Sequence, residues 1–81
     1  MTVASFNAVI EMNTLYLGRP GTGASDEAVA AWYRAKGRLH ERVAAQGGSD
    51  AAHELAYAAT SYEHARRLEQ GSATKQAGWA A

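Results

Sequence analysis

The chain has 81 residues and a mass of 8.6 kDa, which is enough for one small domain with one hydrophobic core. Eight basic and eight acidic side chains give a formal net charge of zero, whereas proteins that bind mainly to nucleic-acid phosphates usually carry a strong positive excess. The sequence contains no cysteine, which excludes disulfides and cysteine-based zinc sites. It also lacks an apolar run near the roughly 20 residues of a membrane helix. We therefore expect a cytoplasmic protein, without a signal peptide because polar residues interrupt the first apolar stretch.

Bulky apolar side chains are scarce in this sequence. Leu, Ile, Val and Phe together account for 11 residues, whereas 19 residues are alanine. The bulky share lies below the roughly 20% at which a stable core becomes doubtful. Alanine is the best helix former, so helices should form readily while tertiary burial stays limited. This composition predicts an all-α protein that gains stability from close helix packing, self-association or a partner.

The first predicted helix covers residues 2–17. Val3, Phe6, Ile10 and Leu17 fall on one helical face, which fits a helix better than the alternation of a strand. Residues 18–24 contain three glycines and the only proline, so they form a loop.

The second predicted helix covers residues 26–46, between an N-cap at Ser25 and the pair Gly47-Gly48. Gly37 in its middle indicates either a bend or close approach of another backbone, because glycine costs roughly 1 kcal/mol relative to alanine inside a helix. The apolar stripe expected to face the core consists of Ala28, Trp32, Ala35, Leu39 and Val43.

The third predicted helix covers residues 50–70, with Ser49 or Asp50 as its N-cap and Gly71 just past its C-terminus. Residues 72–81, which include Trp79, are expected to form a flexible tail. The apolar stripe of this helix is expected to consist of small residues and one ring: Ala51, Ala52, Leu55, Ala58, Ala59 and Tyr62.

Two architectures fit these elements. One is a compact three-helix bundle of residues 1–71, and the other is an antiparallel helical hairpin with an N-terminal helical arm. The short turn makes helices two and three antiparallel neighbours in both cases. A homodimer completed through the first helix would bury the remaining apolar surface.

Three arginines on the second helix form a ridge at four-residue steps: Arg34, Arg38 and Arg42. Basic residues toward a helix C-terminus complement the helix dipole, which explains the ridge without a ligand. The ridge could also bind an acidic protein surface or nucleic-acid phosphates. The predicted third helix is a poor recognition helix, however, because it opens with the acidic residues Asp50 and Glu54.

Aromatic residues outside the predicted stripes indicate a protein interface. Tyr33, Tyr57 and His64 project away from the expected core, and tyrosine beside arginine is typical of binding hot spots. Together with the arginine ridge, these residues are the predicted partner-binding site. The sequence thus favours a small non-enzymatic adaptor, inhibitor or regulator that binds a protein or a second copy of itself, with a DNA- or RNA-binding regulator as the alternative.

Catalytic, metal and cofactor sites have little support in the sequence. His53 and His64 are separated by three helical turns, about 16 Å, which is too far for one metal ion. Gly18 and Gly23 have the spacing of a phosphate-binding loop, but Ala24 occupies the position of its lysine. We therefore expect no catalytic residues, no metal and no cofactor. The alanine- and arginine-rich composition is typical of bacterial or phage proteins.

Overall fold

The computed structural model describes the backbone of residues 3–80 and the side chains of residues 7–74. This part of the chain is all-α, as the sequence predicts, with the helices α1 (Val3–Leu17), α2 (Asp26–Ala45) and α3 (Ala51–Ala80). Among the described residues, α1 packs against α2 and has no close backbone contact with α3. The fold is therefore the helical hairpin with an N-terminal arm rather than a closed three-helix bundle.

Local sequence signals determine where α2 begins and how the chain turns into α3. The Ser25 hydroxyl accepts a hydrogen bond from the backbone N–H of Ala28 at 3.1 Å, which confirms the predicted N-cap. Gly47 and Gly48 have φ angles of 82° and 98°, which are strained for residues with a side chain. The Asp50 carbonyl then accepts the Glu54 N–H at 3.0 Å, the first hydrogen bond of α3.

The α2–α3 seam is built from small and polar residues, which recur at spacings of seven, three and four on α2 and of three and four on α3. On α3, Ser61 is 2% exposed and Ala65 is completely buried. The Ser61 hydroxyl donates to the Tyr57 carbonyl at 2.9 Å, so its burial leaves no unsatisfied polar group. Short side chains let the two helices approach closely over several turns. We define the seam by its buried residues, Ala30, Gly37, His40 and Ala44 of α2 and Ala58, Ser61 and Ala65 of α3.

The predicted apolar stripes are partly wrong. On α2, Trp32 and Leu39 are buried as expected, whereas Ala28 is exposed. On α3, Ala58 is buried but Leu55 is 55% exposed. The reason is that the seam uses the smallest side chains. On α2 the bulky buried residues Trp32 and Leu39 lie toward α1, and on α3 the bulky Leu55 is left outside the seam. The predicted core residues Val3 and Phe6 lie outside the described side chains.

Gly37 allows a close approach, but its neighbour is an aromatic ring rather than a backbone. A Cβ atom placed on Gly37 would lie 2.8 Å from two ring carbons of Tyr62. The Tyr62 hydroxyl donates a hydrogen bond to the Glu41 carboxylate, which holds the ring across α2 and raises the pKa of Tyr62. The absence of a side chain at position 37 therefore creates the space for Tyr62.

The predicted end of the third helix near Gln70 is wrong. Gly71 lies inside α3, and the backbone of residues 72–80, predicted as a tail, continues the helix to Ala80. One glycine costs only about 1 kcal/mol inside a helix, and the extension contacts the rest of the protein. The Ser72 hydroxyl donates to the Glu27 carboxylate at 2.5 Å, which links α3 to the first turn of α2. The side chain of Trp79 lies outside the described residues.

The three helices form a nearly flat row with α2 in the middle. The chain extends 54 × 24 × 12 Å along its principal axes, and its radius of gyration is 15.2 Å. A compact domain of this length would have a radius of gyration of about 12 Å. The row therefore exposes two broad faces, and among the described residues the outer helix α1 is covered on its α2 side only.

Candidate functional site

The arginine ridge is largely occupied by ion pairs that connect the helices. Nε of Arg34 donates to the Glu69 carboxylate of α3 at 3.1 Å, and Arg42 pairs with Glu11 of α1 at 2.6 Å. Arg38 is exposed and makes no ion pair with any described residue. Two of the three predicted binding arginines therefore bridge α2 to its neighbours, which leaves one for contact with an acidic partner or a phosphate.

Tyr33 and His64 are in direct contact. Their rings stack across the edge of the seam, with centroids 4.9 Å apart and an interplanar angle of 24°. Sequence analysis proposed each residue for the partner surface without predicting that they touch. The structure brings these two predicted residues together.

A row of rings connects all three helices. The Trp32 ring makes edge-to-face contacts with Tyr16 of α1 at 5.5 Å and with Tyr33 at 5.2 Å, and Tyr33 continues the row to His64 of α3. The Trp32 indole N–H also donates to the Leu15 carbonyl at 2.9 Å. Trp32 therefore holds α1 on α2 through one hydrogen bond and one ring contact, and it contributes less to the seam than its size suggested.

Tyr57 lies beside a buried histidine. Its ring centroid is 5.4 Å from that of His40, and half of the Tyr57 residue is exposed. His40 itself is only 7% exposed. The predicted partner residue Tyr57 therefore covers a polar group in the seam while presenting one edge to solvent.

His40 is the centre of a polar cluster that sequence analysis missed. Its Nδ1 atom lies 2.5 Å from a Glu54 carboxylate oxygen, and its Nε2 atom lies 3.1 Å from the Lys36 ammonium nitrogen. Burial lowers the pKa of Lys36, and the negative charge of Glu54 partly opposes that shift. We call Lys36, His40 and Glu54 the Lys-His-Glu cluster.

The hairpin register was the signal that could have revealed this cluster. His40 lies seven residues before Gly47, and Glu54 lies seven residues after it. In an antiparallel hairpin, residues equally distant from the turn face each other. Lys36 is four residues before His40 and therefore shares its helical face.

Helix α1 presents apolar side chains to solvent. Leu17 is 89% exposed, and Val9, Ile10 and Tyr16 are each close to half exposed. Glu11 is the only charged residue of this helix, and it is paired with Arg42. We call Val9, Ile10, Tyr16 and Leu17 the α1 apolar surface.

No family model, curated protein or solved structure matches this chain. None of the helices in the described part combines the length and apolar character needed to cross a membrane. Among the same residues, no three His, Asp or Glu side chains converge in a way that could hold a metal ion. A function for this chain is therefore inferred from its exposed surfaces.

Proposed function

We propose that the protein is a small non-enzymatic adaptor, inhibitor or regulator that acts through protein–protein contacts, with the α1 apolar surface as its docking site. The observation that carries this proposal is the exposure of Val9, Ile10, Tyr16 and Leu17 on a helix packed on one side only. We propose a cytoplasmic location for the protein, as expected from its sequence.

The chemistry of α1 supports a protein partner. The central parts of protein interfaces are depleted in charge and enriched in aromatic residues, and α1 combines one neutralised carboxylate with the exposed ring of Tyr16. Full burial of a side chain such as Leu17 contributes roughly 1.5–3 kcal/mol. Several such residues together supply a useful part of the free energy of binding.

Residues of the predicted partner site support a flanking role. Tyr57 keeps half of its surface exposed, and Arg38 is exposed, so both can add contacts at the rim of an interface. A second copy of the chain is one occupant that satisfies this chemistry, because an isologous interface pairs a surface with itself and the α1 apolar surface contains no like charges to repel.

The test compares the wild-type protein with the double variant Ile10→Asn/Leu17→Ser and the control variant Leu55→Ser. Leu55 is an exposed leucine on α3 and controls for the general loss of apolar surface. Each variant is used in affinity capture from the native host with mass spectrometry, and in light scattering to measure self-association. We expect a specific partner, or a dimer, with wild type and with Leu55→Ser but not with the double variant.

Two results would contradict the proposal. One is a stable monomer from which no protein is captured, and the other is capture that the double variant leaves unchanged. Binding to nucleic acid that weakens steeply with salt and requires Arg38 would instead favour the phosphate-binding alternative.

A further inference from the structure

The Lys-His-Glu cluster has the geometry of an amine next to its own general base. A lysine ammonium group can only donate hydrogen bonds, so Nε2 of His40 must accept the bond from Lys36. The ring proton of His40 is then on Nδ1, where it donates to Glu54 at 2.5 Å. With Lys36 as an ammonium group, these contacts correspond to the imidazole tautomer whose unprotonated Nε2 faces the lysine.

This arrangement lets a proton leave Lys36 without separating charge in solvent. If Nε2 of His40 takes a proton from the ammonium group, the imidazolium is stabilised by the Glu54 carboxylate at Nδ1. Lys36 then carries a free electron pair. The same logic operates where a carboxylate orients a histidine that activates a nucleophile.

We propose that Lys36 is an acyl-acceptor site, which becomes covalently modified by small activated acyl donors, namely acyl phosphates or acyl thioesters. In this step Nζ of Lys36 attacks the acyl carbonyl carbon, and a C–N bond forms. The bond from that carbon to the phosphate oxygen or thioester sulfur breaks, and the leaving group departs with the bonding electrons. The first proton of the ammonium group passes through His40 to solvent before the attack, so that a neutral His40 faces the free amine. His40 then accepts the second proton, which the nitrogen loses on attack, and passes it to the leaving group, so the products are an amide on Lys36 and a free phosphate or thiol.

The surroundings of Lys36 are compatible with a small donor. The residue is half-buried, and the half-exposed ring of Tyr57 borders the cluster on the α3 side. The lowered pKa of Lys36 increases the fraction of free amine near neutral pH. Among the described residues, Glu54 makes no hydrogen bond to Nζ of Lys36. It contacts His40 instead, so it is a positioning residue that acts through His40.

The chain supplies its own reference amine. Lys75 is the only other lysine in the sequence. The experiment incubates the full-length protein with acetyl phosphate or, separately, with acetyl-coenzyme A at pH values from 6 to 9.5, and measures acetylation of each lysine by peptide mass spectrometry. We expect Lys36 to react at least about 10-fold faster than Lys75 at neutral pH, because general-base assistance typically contributes a factor of 10² or more.

The pH profile distinguishes an activated amine from an accessible one. We expect the Lys36 rate to level off at a lower pH than the Lys75 rate with whichever donor reacts, and the reactive donor identifies the acyl source. A Lys36 rate equal to or below that of Lys75 with both donors, or parallel pH profiles for the two lysines, would overturn the proposal.

Variants test the role of each neighbour. His40→Gln should reduce the Lys36 rate to that of Lys75. Glu54→Gln should slow the reaction of Lys36, because His40 loses the carboxylate that orients it, and should shift the Lys36 pH profile to lower pH, because the negative charge of Glu54 raises the pKa of Lys36. Glu41→Gln is the matched control, because Glu41 adjoins His40 in sequence but bonds to Tyr62. Circular dichroism establishes that each variant is folded. If His40→Gln does not fold, the comparison of the two lysines in the wild-type protein decides the outcome.

Discussion

Helix α2 packs against its two neighbours in different ways. Toward α3 it presents Ala30, Gly37 and Ala44, and the two helices remain in contact over several turns. Toward α1 it presents the larger residues Trp32 and Leu39, yet the contact is short and leaves apolar side chains exposed. The larger side chains therefore form the less extensive interface.

This difference shows that the size of apolar residues and the extent of burial are separate quantities. Small residues allow helix axes to approach closely, so many atoms make van der Waals contact although each side chain is short. The bulky residues of α1 take part in a less extensive contact with α2 and retain part of their surface in water. The seam thus provides the folded frame, and α1 provides the surface that we propose for binding.

The largest expected effect is overpacking of the seam. Ala65→Leu adds three carbon atoms at a position with no exposed surface, and it should lower the free energy of unfolding by about 3 kcal/mol. Ala59→Leu on the exposed side of the same helix should change it by no more than about 0.5 kcal/mol. Urea denaturation measures both variants. Equal effects would mean that the seam is not closely packed.

Local stability should differ between the two interfaces. Hydrogen exchange in the native state should show amides of α1, such as those of Met12 and Leu15, opening on the order of 2 kcal/mol more easily than those of Ser61 and Ala65. The physical reason is that α1 is covered on one side only. Uniform protection of all three helices would contradict the distinction between frame and arm.

Because Gly37 contacts Tyr62, the effect of Gly37→Ala on the free energy of unfolding should change sign when the Tyr62 ring is removed. Gly37→Ala should destabilise the wild-type protein by about 1 kcal/mol, because its Cβ displaces the Tyr62 ring. In a Tyr62→Ala background the same substitution should stabilise by about 1 kcal/mol, the ordinary helix-propensity gain. A double-mutant cycle measured by denaturation gives the coupling. A coupling near zero would show that the ring moves away without cost.

The smallest expected effect concerns an exposed carboxylate outside both interfaces. Arg66 and Arg67 lower the pKa of Glu63 from 4.5 to about 2 by hydrogen bonding. Because the folded-state value is depressed, the stabilisation is present above pH 4.5 and is lost as the pH falls toward 2. Glu63→Gln should therefore lower stability slightly at pH 7 and not at pH 2. Thermal unfolding at both pH values measures the difference, which solvent and salt keep small.

The sequence predicted where the helices lie and how α2 is capped more accurately than it predicted which helix faces are buried. Ser25, Asp26 and the two turn glycines mark helix boundaries through local chemistry, and these boundaries agree with the structure. The end of α3 was predicted wrongly, because Gly71 resembles a helix terminator in the sequence. Only the rest of the fold determines that the helix continues through it. Burial depends on which helix lies opposite, and periodicity alone does not show which apolar face of a helix is covered.

The contacts of the predicted partner residues could not be predicted from the sequence, and the α1 apolar surface was not among those residues. Tyr33 and His64 were each predicted for a partner surface, yet their stacking depends on how α2 and α3 align. Arg34 and Arg42 resembled free charges because their partners, Glu69 and Glu11, lie on other helices far away in sequence. A charge that serves binding and a charge that bridges helices look the same until the opposite helix is known.

The two-glycine turn has a consequence for how this protein can evolve. An inserted residue rotates the rest of a helix by about 100°, so one extra residue in the first turn of α3, between the glycine pair and Glu54, would move Glu54 away from His40 and His64 away from Tyr33 at the same time. The loop of residues 18–24 carries no comparable constraint on the hairpin. We therefore expect evolutionary variants of this protein to differ in the length of the loop before α2. Around Gly47 and Gly48 we expect substitutions but no change in length.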